Sequence, residues 1–211
     1  MKNYLTEVIG TFFLVLTIGL TAIGGVAMAP LAIGSALMVM VYMGGHISGG
    51  HYNPAVSLAV MMRGKLDSKE LLPYWVSQIV GAFLAAAVVY AISGQTFAPA
   101  PGADATTMGA LLIEFLFTFA LCLVVLNTAT ASGTEGNSFY GLAIGFTVMV
   151  GAFSGGGISG GAFNPAVGIG PIVMNAIAGG GSFSNLWLYL VGPLLGGAVA
   201  AMVFKIQNPG D

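Results

Sequence analysis

The chain has 211 residues, of which 57% are hydrophobic and only 6% are charged. Soluble domains carry about a quarter of charged residues, so this composition is typical of a chain that lipid solvates. The formal net charge of −2 says nothing about partners, but the sequence has no basic patch for nucleic acid, so we expect no nucleic-acid partner. The single cysteine, Cys122, cannot form a disulfide within the chain and is interpreted as a small buried hydrophobe.

Six segments are predicted to cross a bilayer as helices, which takes about 20 mostly apolar residues. The first resembles a cleavable signal peptide, but Glu7 interrupts its front and it has a counterpart later in the chain, so we interpret it as a membrane helix. Two shorter apolar segments with glycine-rich flanks, 53–62 and 164–178, are predicted to be re-entrant half-helices. The six spans are 6–27, 30–45, 71–92, 108–129, 139–153 and 186–204.

The basic residues indicate how the chain sits in the membrane. With six spans, the two termini and the connection between spans two and three share one face. All five basic residues fall in these places, and this predicts that the termini are cytoplasmic. They are Lys2, Arg63, Lys65, Lys69 and Lys205.

An internal repeat organises the single predicted domain, 1–211. The stretches "GGHISGGHYNPAV" (44–56) and "GGGISGGAFNPAV" (155–167) agree at ten of thirteen positions, with an offset of 111 residues. Each repeat, 1–92 and 107–205, contains three spans and one half-helix. Because three is odd, the two repeats insert with opposite topology, which is an inverted repeat typical of transporters and channels.

Each repeat contains an Asn-Pro-Ala box, Asn53-Pro54-Ala55 in the first and Asn164-Pro165-Ala166 in the second. Asparagine is a good N-cap and proline suits the first helical turn, so each box predicts a half-helix that begins at membrane depth. A single copy would be read as a simple helix cap; two matched copies indicate a site. The helix N-termini, each with about half an elementary charge, would repel cations. The preceding loops would present backbone carbonyls to a neutral solute; we assign Gly49, Gly50, His51, Gly160, Ala162 and Phe163 to this lining.

These motifs resemble the aquaporin (major intrinsic protein) family over essentially the whole chain. The resemblance rests on the two boxes, the glutamates of spans one and four, "SQIVGAF" in span three and "GPLLGGAVAA" in span six. It implies an all-α membrane protein with six transmembrane helices and two re-entrant half-helices. It also implies a homotetramer in the lipid bilayer, with one pore per subunit for water or small neutral solutes and no cofactor.

In this family the second box is usually followed by an arginine, but here Val167 follows it. Carried over by counting from the boxes, the other constriction positions fall on Ile33, Ala152 and Gly161. None of the four residues has a ring or a charge, so we expect a constriction that is wider and more apolar than in water-selective members. The alternative is that neighbours such as Phe153 or Phe163 close it.

A wider constriction favours glycerol, urea or metalloid hydroxides such as arsenous and boric acid. Against glycerol, Gly168 stands where the family's glycerol facilitators have an aspartate, and their long loop insertions are missing. Strict water selectivity remains the alternative. Ions should still be excluded, because burying an unpaired ion costs several kcal/mol.

Glu7 and Glu114 are costly in lipid and therefore need partners. The resemblance implies that each accepts backbone N–H groups of a re-entrant loop, with Gln78 assisting; a proton relay is the alternative. We expect His46 to be packed and hydrogen-bonded in support of the loop, and His51 to line the cytoplasmic mouth. A histidine pH gate remains open.

Other classes of function fit less well. An enzyme would need a nucleophile–base pair or a metal set, and the sequence has no cluster with metal-ligand spacing. An alternating-access transporter would normally carry a charge near its broken helices, and a closed-pore structural protein remains possible. The short chain suggests a prokaryotic inner membrane.

Overall fold

In the computed structural model, which describes residues 1–211, the chain folds into eight α-helices. Six of them are long and apolar enough to cross a membrane, and two are shorter. The predicted fold class is therefore confirmed, with the half-helices where the two short apolar segments lie. The long helices are α1 (Lys2–Ile23), α2 (Ala29–Ser48), α4 (Ser68–Ser93), α5 (Thr107–Val125), α6 (Tyr140–Ser159) and α8 (Leu186–Gln207); the short ones are α3 (Pro54–Arg63) and α7 (Pro165–Ala178).

Helices α2 and α6 are longer than the predicted spans, which stopped at residues 45 and 153. Their glycine-rich ends continue to Ser48 and Ser159, and each helix ends at a left-handed glycine, Gly49 with φ 93° and Gly160 with φ 90°. Glycine costs about 1 kcal/mol in a helix in water. In an apolar environment the backbone must form its hydrogen bonds internally, so the helix persists until a turn is required.

The packing of the helices joins the two sequence repeats. Helix α1 packs on α2 and α4, and α5 packs on α6 and α8 in the same way. Each half-helix packs on a long helix of the other half, α3 against α8 and α7 against α4, while α2 crosses α6. Both half-helices are thereby packed between long helices, and only the C-terminal end of α7 is exposed.

The six long helices define two faces. Both termini lie at one of them, the terminal face, together with the connections 64–67 and 131–139. The connections 24–28, 94–106 and 179–185 lie at the other, the opposite face. All five basic residues belong to the terminal face, since they lie near the termini, at the end of α3, in the connection 64–67 or at the start of α4.

Close contact between helices depends on glycine at the crossing of α2 and α6. A Cβ added to Gly34 would lie 2.6 Å from the carbonyl oxygen of Gly145 and 2.7 Å from Cβ of Met149. A Cβ on Gly145 would lie 2.7 Å from Cβ of Met38. The contacted atoms are a carbonyl oxygen and Cβ atoms, whose positions the backbone fixes, so no side-chain rotation can relieve these contacts. Small residues let membrane helices approach in this way.

We predict that Gly145→Ala destabilises the protein by about 1–3 kcal/mol, because the added methyl group overpacks the helix crossing. The matched control is Gly133→Ala, where an added Cβ meets no atom within 4 Å. Thermal unfolding in detergent, followed by tryptophan fluorescence, measures the difference. Equal melting temperatures for the two variants would contradict the prediction.

Candidate functional site

The loop before the first Asn-Pro-Ala box is held by the carboxylate of Glu7, which is fully buried in α1. Its Oε1 accepts hydrogen bonds from the Ser48 hydroxyl (2.7 Å) and the His51 amide (3.0 Å). Its Oε2 accepts from the Tyr52 amide at 2.7 Å. The hydroxyl of Tyr74, which lies on α4, donates a hydrogen bond to the Ser48 carbonyl at 2.7 Å. The loop's N–H groups therefore point into the protein, towards Glu7.

The second loop repeats this arrangement around Glu114 of α5. The carboxylate accepts from the Ser159 hydroxyl (2.7 Å), the Ala162 amide (3.0 Å) and the Phe163 amide (2.7 Å). The Tyr189 hydroxyl donates to the Ser159 carbonyl at 2.6 Å, just as the Tyr74 hydroxyl donates to the Ser48 carbonyl in the first half. The two loops are thus built by equivalent contacts, residue for residue.

Each loop reaches its box through one strained residue. Tyr52 has φ 48° and Phe163 has φ 47°, and they are the only non-glycine residues with positive φ. Such a conformation costs about 1–3 kcal/mol in a bulky residue and persists only where the surroundings impose it. Both side chains are fully buried, and both amides are bound by a carboxylate.

The two asparagines meet at the centre of the molecule. In each, Oδ1 caps its own half-helix by accepting an amide at 2.9 Å, from Ala55 for Asn53 and from Ala166 for Asn164. Each Nδ2 donates to the other loop at 2.9 Å, Asn53 to the Phe163 carbonyl and Asn164 to the Tyr52 carbonyl. One N–H of each amide group remains for another acceptor, because an amide nitrogen carries two hydrogens.

A cavity of about 240 Å³ runs from this centre towards the opposite face. All four residues carried over to the constriction line it, namely Ile33, Ala152, Gly161 and Val167, together with both asparagines. Side chains of α1, α2, α5 and α6 form an apolar wall, and the two loops form the other. The cavity is therefore apolar on one side and lined by backbone on the other.

The backbone carbonyls of the two loops supply the polar groups along the cavity. Those of Gly49, Gly50, His51, Gly160, Gly161 and Ala162 accept no hydrogen bond from the protein. Gly50, His51 and Ala162 are buried, and buried carbonyls need partners, so these three groups require water or a solute. Of the six residues, all but Gly49 line the cavity; Gly49 lines a second one on the terminal side.

The second cavity, of about 800 Å³, opens towards the terminal face and meets the first at His51 and Val125. Asp211 lies on its rim, 2.9 Å from the Arg63 guanidinium, and accepts a hydrogen bond from the Ser132 amide at 3.0 Å. The Ser132 amide and the nearby arginine lower the pKa of Asp211. Together the residues that line the two cavities mark a route from one face to the other past the asparagines.

Comparison with known proteins identifies this architecture. The family model described as "Major intrinsic protein" matches residues 1–204. The chain belongs to the major intrinsic protein family. It is therefore a multi-pass membrane channel and not an enzyme.

Relatives in this family match nearly the whole channel. It is 36% identical over 226 residues to glycerol uptake facilitator protein-like 6 of Lactiplantibacillus plantarum, with all of both chains covered. It is 40% identical over 190 residues to aquaporin-8 of Rattus norvegicus, covering 86% of this chain and 70% of the relative. The aquaglyceroporin of Plasmodium falciparum has the same fold, with a TM-score of 0.87, 24% identity and coverage of 99% and 97% of the two chains.

One expectation about the channel's histidines requires correction. His46 is exposed at the cavity of the terminal side and makes no hydrogen bond, so it does not support the loop. The helix α2 continues past residue 45 and turns this side chain outwards. His51 instead is buried, with Nδ1 3.0 Å from the Ser57 hydroxyl, and Ser57 also accepts from Gln78 Nε2 at 2.9 Å.

Gln78 also donates to Glu7 Oε2 at 2.8 Å, so a polar chain runs from the carboxylate to His51. The second half has Gly168 and Ala162 where the first has Ser57 and His51. The channel is therefore asymmetric in its polar support although its loops are built alike.

Some residues that line the cavity have no signal in the sequence. Phe97, Ala98 and Pro99, from the connection between α4 and α5, line the cavity near the opposite face. Nothing in the local pattern pointed to them, because a connection of small residues carries no periodicity. Phe153, considered as a residue that closes the constriction, is 52% exposed and does not line the cavity. Phe163 does line it, but its ring packs on Phe117.

We predict that Glu114→Gln destabilises the channel by about 1–3 kcal/mol and lowers its water permeability. Glutamine replaces one carboxylate oxygen by an NH2 group, which cannot accept a hydrogen bond. At least one buried loop N–H therefore loses its acceptor. Asp104→Asn is the control, since Asp104 is exposed, its side chain makes no hydrogen bond and it lines neither cavity. Thermal unfolding in detergent and stopped-flow swelling of proteoliposomes provide the two measurements. Identical results for the two variants would refute the supporting role of Glu114.

Proposed function

We propose that the protein is a passive channel for water and for uncharged solutes larger than water, such as glycerol, urea or arsenous and boric acid. The observation that carries this proposal is the set Ile33, Ala152, Gly161 and Val167 around one cavity, without a ring or a charge among them. Pore diameter and the groups that line it decide which neutral solutes pass.

The residue after the second box is central to the proposal. Val167 is buried, only 3% exposed, and lines the cavity beside Asn164. The family resemblance implies an arginine at this position, which would supply fixed donors and occupy more volume. Valine leaves the backbone carbonyls and the two asparagine amides as the polar groups of the constriction. A solute that both donates and accepts hydrogen bonds fits this lining.

The glycerol-facilitator name of the Lactiplantibacillus plantarum relative supports passage of solutes larger than water. The aspartate that follows the arginine in the family's glycerol facilitators is replaced by Gly168 in this chain. A Cβ added to Gly168 would lie 2.5 Å from Cβ of Tyr189, so a side chain here requires a shift of α8. The wider solute class therefore rests on the open constriction and not on a glycerol-specific residue.

Ions are excluded in this proposal by two features. The half-helices α3 and α7 begin at the two asparagines, so their positive ends face the centre of the route, where they repel cations. An ion that enters also loses its hydration against an apolar wall, at a cost of several kcal/mol. We predict that planar bilayers containing the protein show no cation conductance above that of protein-free bilayers, and a measurable conductance would contradict this.

Orientation and assembly complete the proposal. The five basic residues of the terminal face favour cytoplasmic termini. The match to a bacterial relative over the whole chain supports a prokaryotic inner membrane. The family resemblance implies a homotetramer, with the repeats 1–92 and 107–205 forming one pore within each subunit. The two other readings are a strictly water-selective channel and a closed-pore structural protein. Swelling assays separate all three.

We predict that wild-type proteoliposomes pass water, glycerol and urea, and that Val167→Arg loses the larger solutes while it keeps water. The arginine side chain narrows the constriction and adds a charge. Stopped-flow light scattering measures each permeability. Val26→Arg adds the same charge at the opposite face outside the cavity and serves as the control, and Val167→Leu adds bulk without charge.

If wild type passes only water, the four residues do not set the width and the proposal of larger solutes fails. If wild type passes neither water nor solute, the closed-pore reading replaces it. If Val26→Arg has the same effect as Val167→Arg, surface charge and not the constriction is responsible.

A further inference from the structure

The connection between α4 and α5 lies over the route at the opposite face. It covers residues 94–106 and contains no charged residue other than Asp104. The Gly102 amide donates to the carbonyl of Ile158 at 3.1 Å. A Cβ added to Gly160 would lie 2.7 Å from the Ala100 amide nitrogen and 3.2 Å from Cα of Pro99. The connection therefore packs directly on the second pore loop.

Phe97 is the aromatic residue of this segment. It is half-buried, lines the cavity and packs against the hydrophobic core. Its ring fills the space above Gly19 of α1 and beside Val89 of α4, so that a Cβ on Gly19 would lie 2.7 Å from the ring carbon Cζ. Ile33 and Val167 line the same cavity. Phe97 thus adds an aromatic residue to a lining whose four carried-over positions have none.

The segment is anchored on the other side of the channel. The Thr96 hydroxyl donates to Oδ1 of Asn175, near the end of α7, at 2.7 Å. The Asn175 carbonyl in turn accepts the amides of Gly179 and Gly181, at 2.8 Å and 3.1 Å. Phe97 therefore stands between an anchor on the second half-helix and a contact on α1. Both contacts restrict its position.

We propose that Phe97, held by Thr96 and Asn175, is a specificity-determining residue that narrows the outer constriction where the usual ring and arginine are missing. This rests on the proposed function, because it refines which uncharged solutes pass. Small side chains at Ala152 and Gly161 widen one part of the wall, and the Phe97 ring occupies another. The size limit for solutes is then set by five positions rather than four.

The test compares permeabilities to water, urea and glycerol by stopped-flow light scattering on proteoliposomes. Removing the ring in Phe97→Ala should raise the ratio of glycerol to water permeability about tenfold, because pore diameter controls passage. Thr96→Val, which removes the anchor, should shift the ratio in the same direction by less. Phe13→Ala is the control, since Phe13 lies on α1 with 46% of its surface exposed and does not line the cavity. Its ratio should equal that of wild type.

A second measurement locates the residue in the route. In Phe97→Cys, a small methanethiosulfonate reagent should block water flow, whereas Phe13→Cys should be unaffected. The wild type is the background control, because Cys122 is fully buried. If Phe97→Ala does not give a monodisperse protein, Phe97→Leu carries the permeability test, with an intermediate ratio expected.

The outcomes separate this proposal from the proposed function. Wild type that passes glycerol, with an unchanged ratio in Phe97→Ala and no block of Phe97→Cys, would leave the wide channel standing and overturn the role of Phe97. Wild type that passes only water, with glycerol passing in Phe97→Ala, would overturn the wide channel and support the role of Phe97. Wild type that passes glycerol, together with a raised ratio in Phe97→Ala and a thiol block of Phe97→Cys, supports both.

Discussion

In the core of a bilayer no water is available to form hydrogen bonds with the backbone, and this constraint governs the whole structure. Two loops interrupt the helices at membrane depth, and each is made tolerable by one buried carboxylate. Glu7 and Glu114 each accept two loop amides and a serine hydroxyl, which draws the N–H groups to one side. The carbonyls then face the cavities. Support of the loop and the polar lining of the route are therefore a single arrangement.

The crossed asparagine bonds connect this arrangement to the rest of the fold. Asn53 and Asn164 each cap their own helix and donate to the carbonyl before the other asparagine. The half-helices are thereby fixed end to end, and each is packed on a long helix of the opposite half. Neither half can move independently of the other without losing a buried hydrogen bond. Breaking such a bond leaves an unsatisfied group and costs about 1–3 kcal/mol.

The two halves differ in what surrounds this symmetric centre. The first has a polar chain from Glu7 through Gln78 and Ser57 to His51, and the second has glycine and alanine at the corresponding loop and half-helix positions. On the terminal side the route therefore passes a buried imidazole. Towards the opposite face it passes an apolar wall completed by the connection that carries Phe97. A solute meets different chemistry at the two ends of the same channel.

Several features of this protein follow from the sequence alone. The lengths of the apolar segments and the repeated Asn-Pro-Ala box predict six spans and two half-helices. Long apolar segments are needed where lipid surrounds a helix, and Asn-Pro favours the start of one. The resemblance to a family assigned the loop contacts of Glu7 and Glu114, and the contacts are present in the structure. Only the tertiary structure decided the crossed bonds of Asn53 and Asn164, which join residues 110 and 112 positions apart. It also decided that His46 is exposed and that Phe97 lines the cavity. The physical reason is that such contacts depend on how distant segments pack, which neither local composition nor periodicity encodes.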